Sequence, residues 1–144
     1  MQNFYNLCYR EEEREMLPLC RSEGIAVTPW SPLARGFLTG NRKKDESPTA
    51  RGRTDPMNKQ YFGTEQDYAI LERVEKLAQD RGMSPAQIAL AWLLAKDGIH
   101  APIIGASNVE QLDDTVKAVD LELDALSCDY LEEPYQARSV QGHS

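Results

Sequence analysis

The sequence predicts an α/β fold in which the strands run parallel. Short apolar runs alternate with helical patterns, in the order strand, helix, strand, long loop, two helices, strand, helix and tail. The strand candidates are apolar at successive positions, which is typical of strands buried on both faces. We therefore expect right-handed crossovers between parallel strands, with ligand sites where the strands end.

Composition narrows the possible functions. The 144 residues are 41% hydrophobic and 27% charged, with a net charge of −7, which is typical of a soluble globular protein and argues against nucleic acid or an anionic membrane as partner. No apolar run approaches the roughly 20 residues of a membrane span. Cys8, Cys20 and Cys128 are odd in number and lack CxxC spacing, so we expect no disulfide framework, no metal site and a cytoplasmic location.

The beginning of the chain reads as a strand followed by a helix. Residues 1–7 are the candidate strand, and the acidic run Glu11, Glu12 and Glu13 is predicted to open the helix, because negative charge is stabilising near a helix N-terminus. Gly24 can end this helix in the left-handed conformation. We interpret the glutamates as a solvated helix cap and not as a catalytic cluster.

A second apolar run, residues 24–28, leads into the stretch that carries most of the candidate chemistry. Pro32 lacks an N–H and disfavours helical geometry at Ser31, so the strand ends there. Residues 30–40 contain an aromatic ring, a hydroxyl, the guanidinium of Arg35 and two glycines. This combination suits the stacking of a flat ring and the binding of a phosphate. A strand followed by a simple proline turn is the alternative.

Residues 41–63 read as a long mobile loop with little apolar periodicity. Six cations stand out there against the acidic composition of the whole chain: Arg42, Lys43, Lys44, Arg51, Arg53 and Lys59. Loops of this length inside compact domains are usually functional lids or disordered segments. These cations either bind an anion or are simply solvated, and both alternatives stay open.

Two helices with clear boundary signals follow this loop. The first is predicted over residues 65–81, with Gly82 as its stop, since one face is apolar at helical spacing. The second begins at a capping box with proline in the first helical position, residues 84–87, and continues through the apolar run 88–95. Trp92 lies within that run, so we expect it in the core.

The last predicted strand is Ala101–Gly105, and Ser107 with Glu110 is predicted to cap a helix that runs to about Val119. A strand, a glycine turn and a helix N-terminus together can bind an anion. The acidic residues on this helix oppose an anion, so the motif is weak evidence by itself. Residues 134–144 read as a tail.

Several motifs together resemble the aldo-keto reductase superfamily. Residues 30–36 (WSPLARG) resemble the pattern at the end of the seventh barrel strand, whereas residues 1–7 (MQNFYNL) and 101–106 (APIIGA) are similar to the sixth and eighth strands. Residues 131–135 (LEEPY) resemble the C-terminus of fungal-type members. The resemblance implies a partial (β/α)8 TIM barrel, in which residues 1–144 form a C-terminal half-barrel of about the last three β/α units. A complete barrel typically needs ~250 residues.

The resemblance also implies an NADP(H) site. In the family, the position of Gln2 hydrogen-bonds the nicotinamide carboxamide, Trp30 stacks on the nicotinamide ring, and residues 31–35 wrap the pyrophosphate. The implied site comprises Gln2, Trp30, Ser31, Pro32, Leu33, Ala34, Arg35, Arg51, Gly105, Ser107, Gln111, Asp114 and Thr115. Asp114 and Thr115 depart from the Glu and Asn that are usual in the family, which weakens the implied contacts to adenine and its 2′-phosphate.

The resemblance assigns no catalytic residue to this chain. Family members transfer hydride with a tetrad of Asp, Tyr, Lys and His from their N-terminal half, and no motif in this sequence matches those positions. His100 precedes the last predicted strand, at the end opposite the ligand site, and is interpreted as structural or solvated. The tail also departs from the fungal pattern, because Ala137-Arg138 replaces the usual Pro-His.

Three hypotheses about function remain open at this point. The chain is a segment of an NADP(H)-dependent oxidoreductase that reduces a small-molecule carbonyl substrate once completed by the remaining half, and in isolation its cofactor binding is weak or lost. Alternatively, it is a truncated member recruited to cofactor-independent chemistry in fungal secondary metabolism, as an isomerase, cyclase or dehydratase. The third possibility is a non-catalytic dimerisation module. We expect self-association or a complementing N-terminal half as partner.

Overall fold

The computed structural model describes residues 1–40 and 61–141. The helices within these ranges are α1 Met16–Ser22, α2 Glu65–Arg81, α3 Pro85–Leu94, α4 Val109–Val116 and α5 Ala125–Glu132. Short 3₁₀ segments span Glu11–Glu13, Ala34–Thr39 and Lys117–Asp120. Most of the predicted loop 41–63 lies outside the described residues. In the described part of the chain, no helix is long and apolar enough to span a membrane.

The three predicted strands come together in parallel, but only through isolated bridges. Phe4 pairs with Trp30, Trp30 pairs with Ile103, and Val27 pairs with Ile99. No continuous strand forms within 1–40 and 61–141. The prediction of three regular strands was therefore wrong about the length of the pairing, whereas the predicted parallel direction is observed. Pro29 and Pro102 lack an N–H. Each of them therefore removes one hydrogen-bond donor from the pairing between segments. The partial barrel remains a prediction.

The first helix begins later than the acidic run that was predicted to open it. Glu11 and Glu12 lie in a 3₁₀ turn and are only 6% and 7% exposed, so their interpretation as a solvated cap was wrong. The carboxylate of Glu12 accepts a hydrogen bond from Asn3 Nδ2 at 2.5 Å, and these glutamates instead join the paired segments to the rest of the fold. Gly24 follows α1 with φ +64°, which confirms its predicted place after the helix.

Helices α2 and α3 follow their sequence signals closely. Gly82 is the left-handed C-cap of α2, with φ +64°. Ser84 and Gln87 form the predicted capping box of α3, since the Ser84 hydroxyl accepts from the Gln87 N–H and the Gln87 side chain accepts from the Ser84 N–H. Trp92 on α3 is fully buried. The core therefore lies between the paired segments and these two helices. Its largest fully buried side chains include Trp92, Tyr5, Tyr9, Phe37, Leu7 and Leu38.

The last two helices differ from the predictions. Helix α4 is capped by Asn108, whose Oδ1 accepts from the Gln111 N–H at 2.8 Å, so the predicted cap at Ser107 was one residue early. Helix α5 was not predicted at all. Its signal is Asp124, whose carboxylate accepts from the N–H of Ser127 at 2.7 Å, an ordinary N-cap arrangement.

Candidate cofactor site

The pairing of the three segments positions most of the predicted site residues. The Trp30 N–H donates to the Asn3 carbonyl at 2.8 Å, and the Ile103 N–H donates to the Pro29 carbonyl at 2.8 Å. Because the segments are parallel, the chain leaves Trp30 and Ile103 at the same end of the molecule. The loop after Trp30 and the turn at Gly105 therefore begin side by side, as the sequence predicted.

Trp30 is stacked on one side by another aromatic ring. Its ring centroid lies 4.4 Å from that of Phe4, with an interplanar angle of 22°. Phe4 in turn stacks on Tyr9 at 4.6 Å. Trp30 itself is only partly buried, so a flat ligand ring would have to stack on the face opposite Phe4. This arrangement fixes the orientation of the indole, which is what an aromatic platform for a ligand requires.

The loop that follows Trp30 contains three non-glycine residues in the left-handed conformation. Ser31 has φ +53°, Ala34 has φ +49° and Arg35 has φ +56°, and Gly36 continues with φ +87°. Each such residue costs on the order of 1–3 kcal/mol, and this kind of strain is concentrated at active sites and ligand clamps. The backbone between the aromatic platform and the Arg35 guanidinium is therefore held in a shape that local preference would not produce.

Buried neighbours enforce this shape. Asn6 is fully buried, its Nδ2 donates to the Ser31 carbonyl at 3.0 Å, and its Oδ1 accepts from the Cys8 N–H at 2.9 Å. Phe37 and Leu38 anchor the other end of the loop in the core. Asn6 was not predicted as a positioning residue. The available signal was an amide side chain in a segment that was expected to be buried.

At the start of α4, several groups that the resemblance assigned to the adenosine end are engaged within the protein. The Ser107 N–H donates to Gln111 Oε1 at 2.9 Å, and the Thr115 hydroxyl donates to the Gln111 carbonyl at 2.9 Å. These bonds satisfy the polar groups of the helix itself. Gln111 and Ser107 are exposed, so a ligand would have to compete with both intrahelical bonds and water.

Asp114 has a structural role that the sequence did not reveal. One carboxylate oxygen accepts from the Ser84 hydroxyl at 2.6 Å, and the other accepts from Gln87 Nε2 at 2.9 Å. Asp114 thus ties α4 to the capping box of α3. Since both of its oxygens already have donors, its predicted role in adenosine recognition has no support in this geometry.

The predicted residues therefore divide into two groups. The residues from Trp30 to Arg35 form one strained, well-anchored loop, and their donor set fits a flat ring and a phosphate. The adenosine-end residues fit a ligand poorly. Gln2 is exposed, and Arg51 lies outside the described residues. His100 is exposed, with Nδ1 3.2 Å from the Val27 nitrogen, so it lies where the paired segments begin and away from this loop.

A second polar cluster holds the C-terminal tail against the first turn. Glu11 accepts hydrogen bonds from the Tyr135 hydroxyl at 2.8 Å and from the Arg138 N–H at 2.7 Å. Burial acts to raise the pKa of Glu11, but these hydrogen bonds and the nearby Arg14 outweigh it, so the pKa lies below its ordinary value. The folded protein therefore favours the charged form of the Glu11 carboxylate.

Glu132 on α5 is stabilised in the same way. Burial acts to raise its pKa, whereas hydrogen bonds from Lys96 and Trp92 and the charge of Arg10 lower it, with a net decrease. Arg10 Nη2 lies 2.6 Å from the Glu132 carboxylate. Arg10 and Glu132 border a cleft of about 610 Å³ beside α5, and none of the predicted cofactor residues lines it.

We predict that the protein loses stability in acid because of these carboxylates. A depressed folded-state pKa contributes stability above the unfolded pKa, ~4.3 for glutamate, and this contribution is lost as the pH falls through the folded value. The free energy of unfolding should thus decrease below about pH 5. Urea titrations between pH 7 and 3 should show a shallower decrease for Glu11→Gln than for the wild type. Glu23→Gln removes an exposed carboxylate and serves as control. An unchanged slope in Glu11→Gln would contradict the prediction.

Comparison with known proteins identifies the family. The family model described as "Aldo/keto reductase family" matches residues 1–136. The putative aryl-alcohol dehydrogenase C977.14c of Schizosaccharomyces pombe is 48% identical over 99% of this chain and 40% of its own length. Versiconal hemiacetal acetate reductase of Aspergillus parasiticus is 41% identical over 97% of this chain and 41% of its own length. The aldo-keto reductase AFTS1 of Alternaria alternata is 42% identical over the whole chain and 38% of its own length.

These relatives are fungal, and the chain spans only about two fifths of their length. The family model nevertheless matches nearly all of this chain, and the match includes the strained loop after Trp30 and the turn at Gly105. The chain therefore belongs to the aldo/keto reductase family.

Proposed function

We propose that this chain provides the nicotinamide and pyrophosphate side of an NADP(H) site in an aldo-keto reductase that reduces a small-molecule carbonyl compound. The reduction requires catalytic groups from the part of the family's sequence that this chain does not match. Relatives named as aryl-alcohol dehydrogenases and aldo-keto reductases support this reaction class.

The observation that carries the proposal is the strained loop between Trp30 and Gly36. Left-handed geometry at Ser31, Ala34 and Arg35 is costly, and the loop keeps it because buried neighbours such as Asn6 hold it in place. A backbone shaped for close approach of a ligand accounts for it. The adjacent indole, stacked on Phe4 at 4.4 Å, supplies the platform for a planar ring.

Each side chain has a separate role in this proposal. Bound NADPH would supply the hydride for reduction. The Trp30 face opposite Phe4 orients the planar ring, and the Arg35 guanidinium provides a charge-assisted donor to phosphate oxygens. Asn6 acts through the Ser31 carbonyl and is a positioning residue. The Asp114 carboxylate is already bonded to side chains at the start of α3. We therefore expect most of the binding free energy of the cofactor to come from the Trp30 end of the site.

A cytosolic location is part of the same proposal. Cys8, Cys20 and Cys128 are all free thiols in the described residues, and free thiols are typical of a reducing compartment. Cys8 and Cys20 are buried, and burial raises the pKa of the Cys8 thiol well above its ordinary value. That thiol is therefore a structural group rather than a reactive one.

Calorimetry with NADPH, reduced nicotinamide mononucleotide and 2′,5′-ADP tests the proposal. For the isolated chain we expect weak binding, with Kd on the order of 0.1–1 mM for the first two compounds and weaker binding of 2′,5′-ADP. Arg35→Ala should weaken NADPH binding by about tenfold, which corresponds to ~1.4 kcal/mol. Trp30→Ala should weaken the binding of reduced nicotinamide mononucleotide by a similar factor.

Arg21→Ala is the matched control for Arg35→Ala. Arg21 pairs with Asp97 at 3.4 Å and lies at the end where the paired segments begin, so its removal should leave NADPH binding unchanged. Binding of NADPH that survives both Arg35→Ala and Trp30→Ala would contradict the proposal. Binding of 2′,5′-ADP as tight as that of NADPH would also contradict it, because the adenosine end would then carry the affinity.

A further inference from the structure

A column of three stacked aromatic rings leads from the candidate cofactor site into the core. The ring centroids of Trp30 and Phe4 lie 4.4 Å apart, and those of Phe4 and Tyr9 lie 4.6 Å apart, with an interplanar angle of 22° in both pairs. Phe4 is 4% exposed and Tyr9 is fully buried. Because a protein interior is close-packed, a displacement of one ring has to be taken up by the ring stacked on it. The orientation of the Trp30 indole therefore depends on the position of Tyr9.

The hydroxyl of Tyr9 is bonded to the backbone of the tail. It accepts a hydrogen bond from the Gln141 N–H at 2.9 Å and donates one to the Gln141 carbonyl at 3.4 Å. Burial raises the pKa of Tyr9, although the bond to Gln141 opposes this, so the hydroxyl is neutral and can both donate and accept. Within the described residues the hydroxyl has no other hydrogen-bond partner. Detachment of Gln141 would therefore leave a polar group buried without a partner, which is unfavourable.

Tail residues 139–141 are held less firmly than the part of the tail that precedes them. Arg138 is bonded to the buried carboxylate of Asp67, whereas the hydrogen bonds of 139–141 within the described part of the chain are the two with Tyr9. Val140 is 58% exposed. A segment with few buried contacts opens at a lower free energy than the rest of a fold. Residues 139–141 can therefore detach while Arg138 stays in place.

We propose that Tyr9 is a positioning residue that couples the attachment of tail residues 139–141 to the stacking surface of Trp30. While the tail is attached, the Tyr9 hydroxyl has its partner and the column holds the indole in place against Phe4. When 139–141 detach, the hydroxyl has to reach water, the column shifts with it, and the indole becomes a poorer platform for a planar ring. The inference rests on the proposed function, in that the planar ring is a nicotinamide.

Coupling between two sites is reciprocal. If detachment of 139–141 weakens the binding of a planar ring at Trp30, the bound ring must oppose detachment to the same degree. Reduced nicotinamide mononucleotide should therefore slow hydrogen exchange of the Gln141 amide. Gln141→Pro removes the N–H that bonds to Tyr9, and it should weaken the binding of this ligand. We expect a change of about fivefold in each measurement, the lower end of the range for coupled sites.

Fluorine NMR of protein labelled with fluorinated tryptophan tests the coupling without any ligand. The sequence contains two tryptophans, and Trp30→Phe assigns their resonances. We expect Gln141→Pro to shift the Trp30 resonance and to leave that of Trp92 in place. In a Tyr9→Phe background the same substitution should produce no shift, because phenylalanine has no hydroxyl to be satisfied. Gln141→Ala is the matched control, since it keeps the backbone N–H and should leave both resonances unchanged.

A Trp30 resonance that is unchanged in Gln141→Pro would overturn the proposal. A shift of equal size in the Tyr9→Phe background would also overturn it, because the tail would then act on Trp30 by another route. If Tyr9→Phe does not fold, the comparison of Gln141→Pro with Gln141→Ala still decides whether the tail backbone positions the indole. Failure of every variant to bind reduced nicotinamide mononucleotide would contradict the cofactor proposal, whereas the resonances of the ligand-free protein would still test the coupling.

Discussion

Replacing Trp92 with alanine is expected to lower the free energy of unfolding by about 3–5 kcal/mol, the range observed for the truncation of large buried aromatic residues. Trp92 is fully buried on α3, and its ring lies 5.6 Å from that of Tyr5. It therefore joins the first paired segment to the helical layer. Alanine would leave a cavity at this junction, and a close-packed interior can only partly collapse around it.

Trp92 also has a polar role that adds to the loss. Its Nε1–H donates to Glu132 Oε1 at 2.8 Å, and its ring lies near the cationic groups of Arg10 at 5.6 Å and Lys96 at 5.0 Å. The alanine variant would remove one hydrogen bond from a carboxylate that remains charged. The indole thus connects the apolar core to the polar cluster on α5.

Urea denaturation of the wild type, Trp92→Ala and Trp92→Phe separates the two contributions. Phenylalanine keeps most of the apolar contact and removes the N–H, so we expect a loss of about 1–2 kcal/mol from the hydrogen bond and the smaller ring. A loss below about 1 kcal/mol for Trp92→Ala would contradict the prediction, because the ring could not then be a central packing element. If the alanine variant does not fold, the phenylalanine variant still measures the polar part.

Local signals explain which parts of the fold could be predicted from the sequence. Helices α2 and α3 carry complete signals at their ends, such as Gly82 and the Ser84–Gln87 box, and their boundaries follow from backbone hydrogen bonding and left-handed geometry within a few residues. The cap of α4 was misplaced by one residue because Ser107 and Asn108 are both good caps. Only their backbone conformations distinguish them.

Buried charge was predicted poorly because its partners are distant in sequence. Glu11 and Glu12 occur in a run that is usually solvated, and their burial depends on Asn3 and on tail residues such as Tyr135. Helix α5 was missed because a single capping aspartate is a weak signal. The strands were overestimated, since apolar runs predict burial and not continuous pairing, and prolines interrupt the ladder.

The candidate site was also predicted only in part from the sequence. The residue types from Trp30 to Arg35 indicated a ring and phosphate site, and the structure adds the backbone strain that makes this loop unusual. The engagement of Asp114 with Ser84 could not be predicted, because it depends on how α4 packs against α3. The departure from glutamate at this position was noted in the sequence, but the contacts of the Asp114 carboxylate with Ser84 and Gln87 are visible only in the structure.

Tail residue Arg138 provides a second test of buried charge. Its Nη2 lies 2.6 Å from Asp67 Oδ1, and the Asp67 side chain is fully buried whereas that of Arg138 is 14% exposed. The other carboxylate oxygen of Asp67 accepts from the N–H groups of Gly63 and Thr64 at 2.9 and 3.0 Å. Asp67 thus caps α2 with one oxygen and holds the tail with the other.

We predict that Arg138→Ala lowers the free energy of unfolding by about 3 kcal/mol, the lower end of the range for breaking a buried ion pair. The alanine leaves the Asp67 charge buried without its cationic partner, and water can reach Asp67 only if the tail detaches. Detachment would in turn cost the hydrogen bonds from Tyr135 to Glu11 and from the Gln141 N–H to Tyr9. The decrease in the free energy of unfolding therefore cannot exceed the free energy with which the tail binds to the rest of the protein.

Arg21→Ala is the matched control for Arg138→Ala, because the Arg21–Asp97 pair is exposed on both sides and such pairs contribute about 0–1 kcal/mol. Urea denaturation should separate the two variants clearly, and hydrogen exchange should show faster opening of the first turn of α2 in Arg138→Ala alone. Equal losses in both variants would mean that the tail contributes no more than a surface ion pair. A loss of about 3 kcal/mol would make Arg138 the main anchor of the tail.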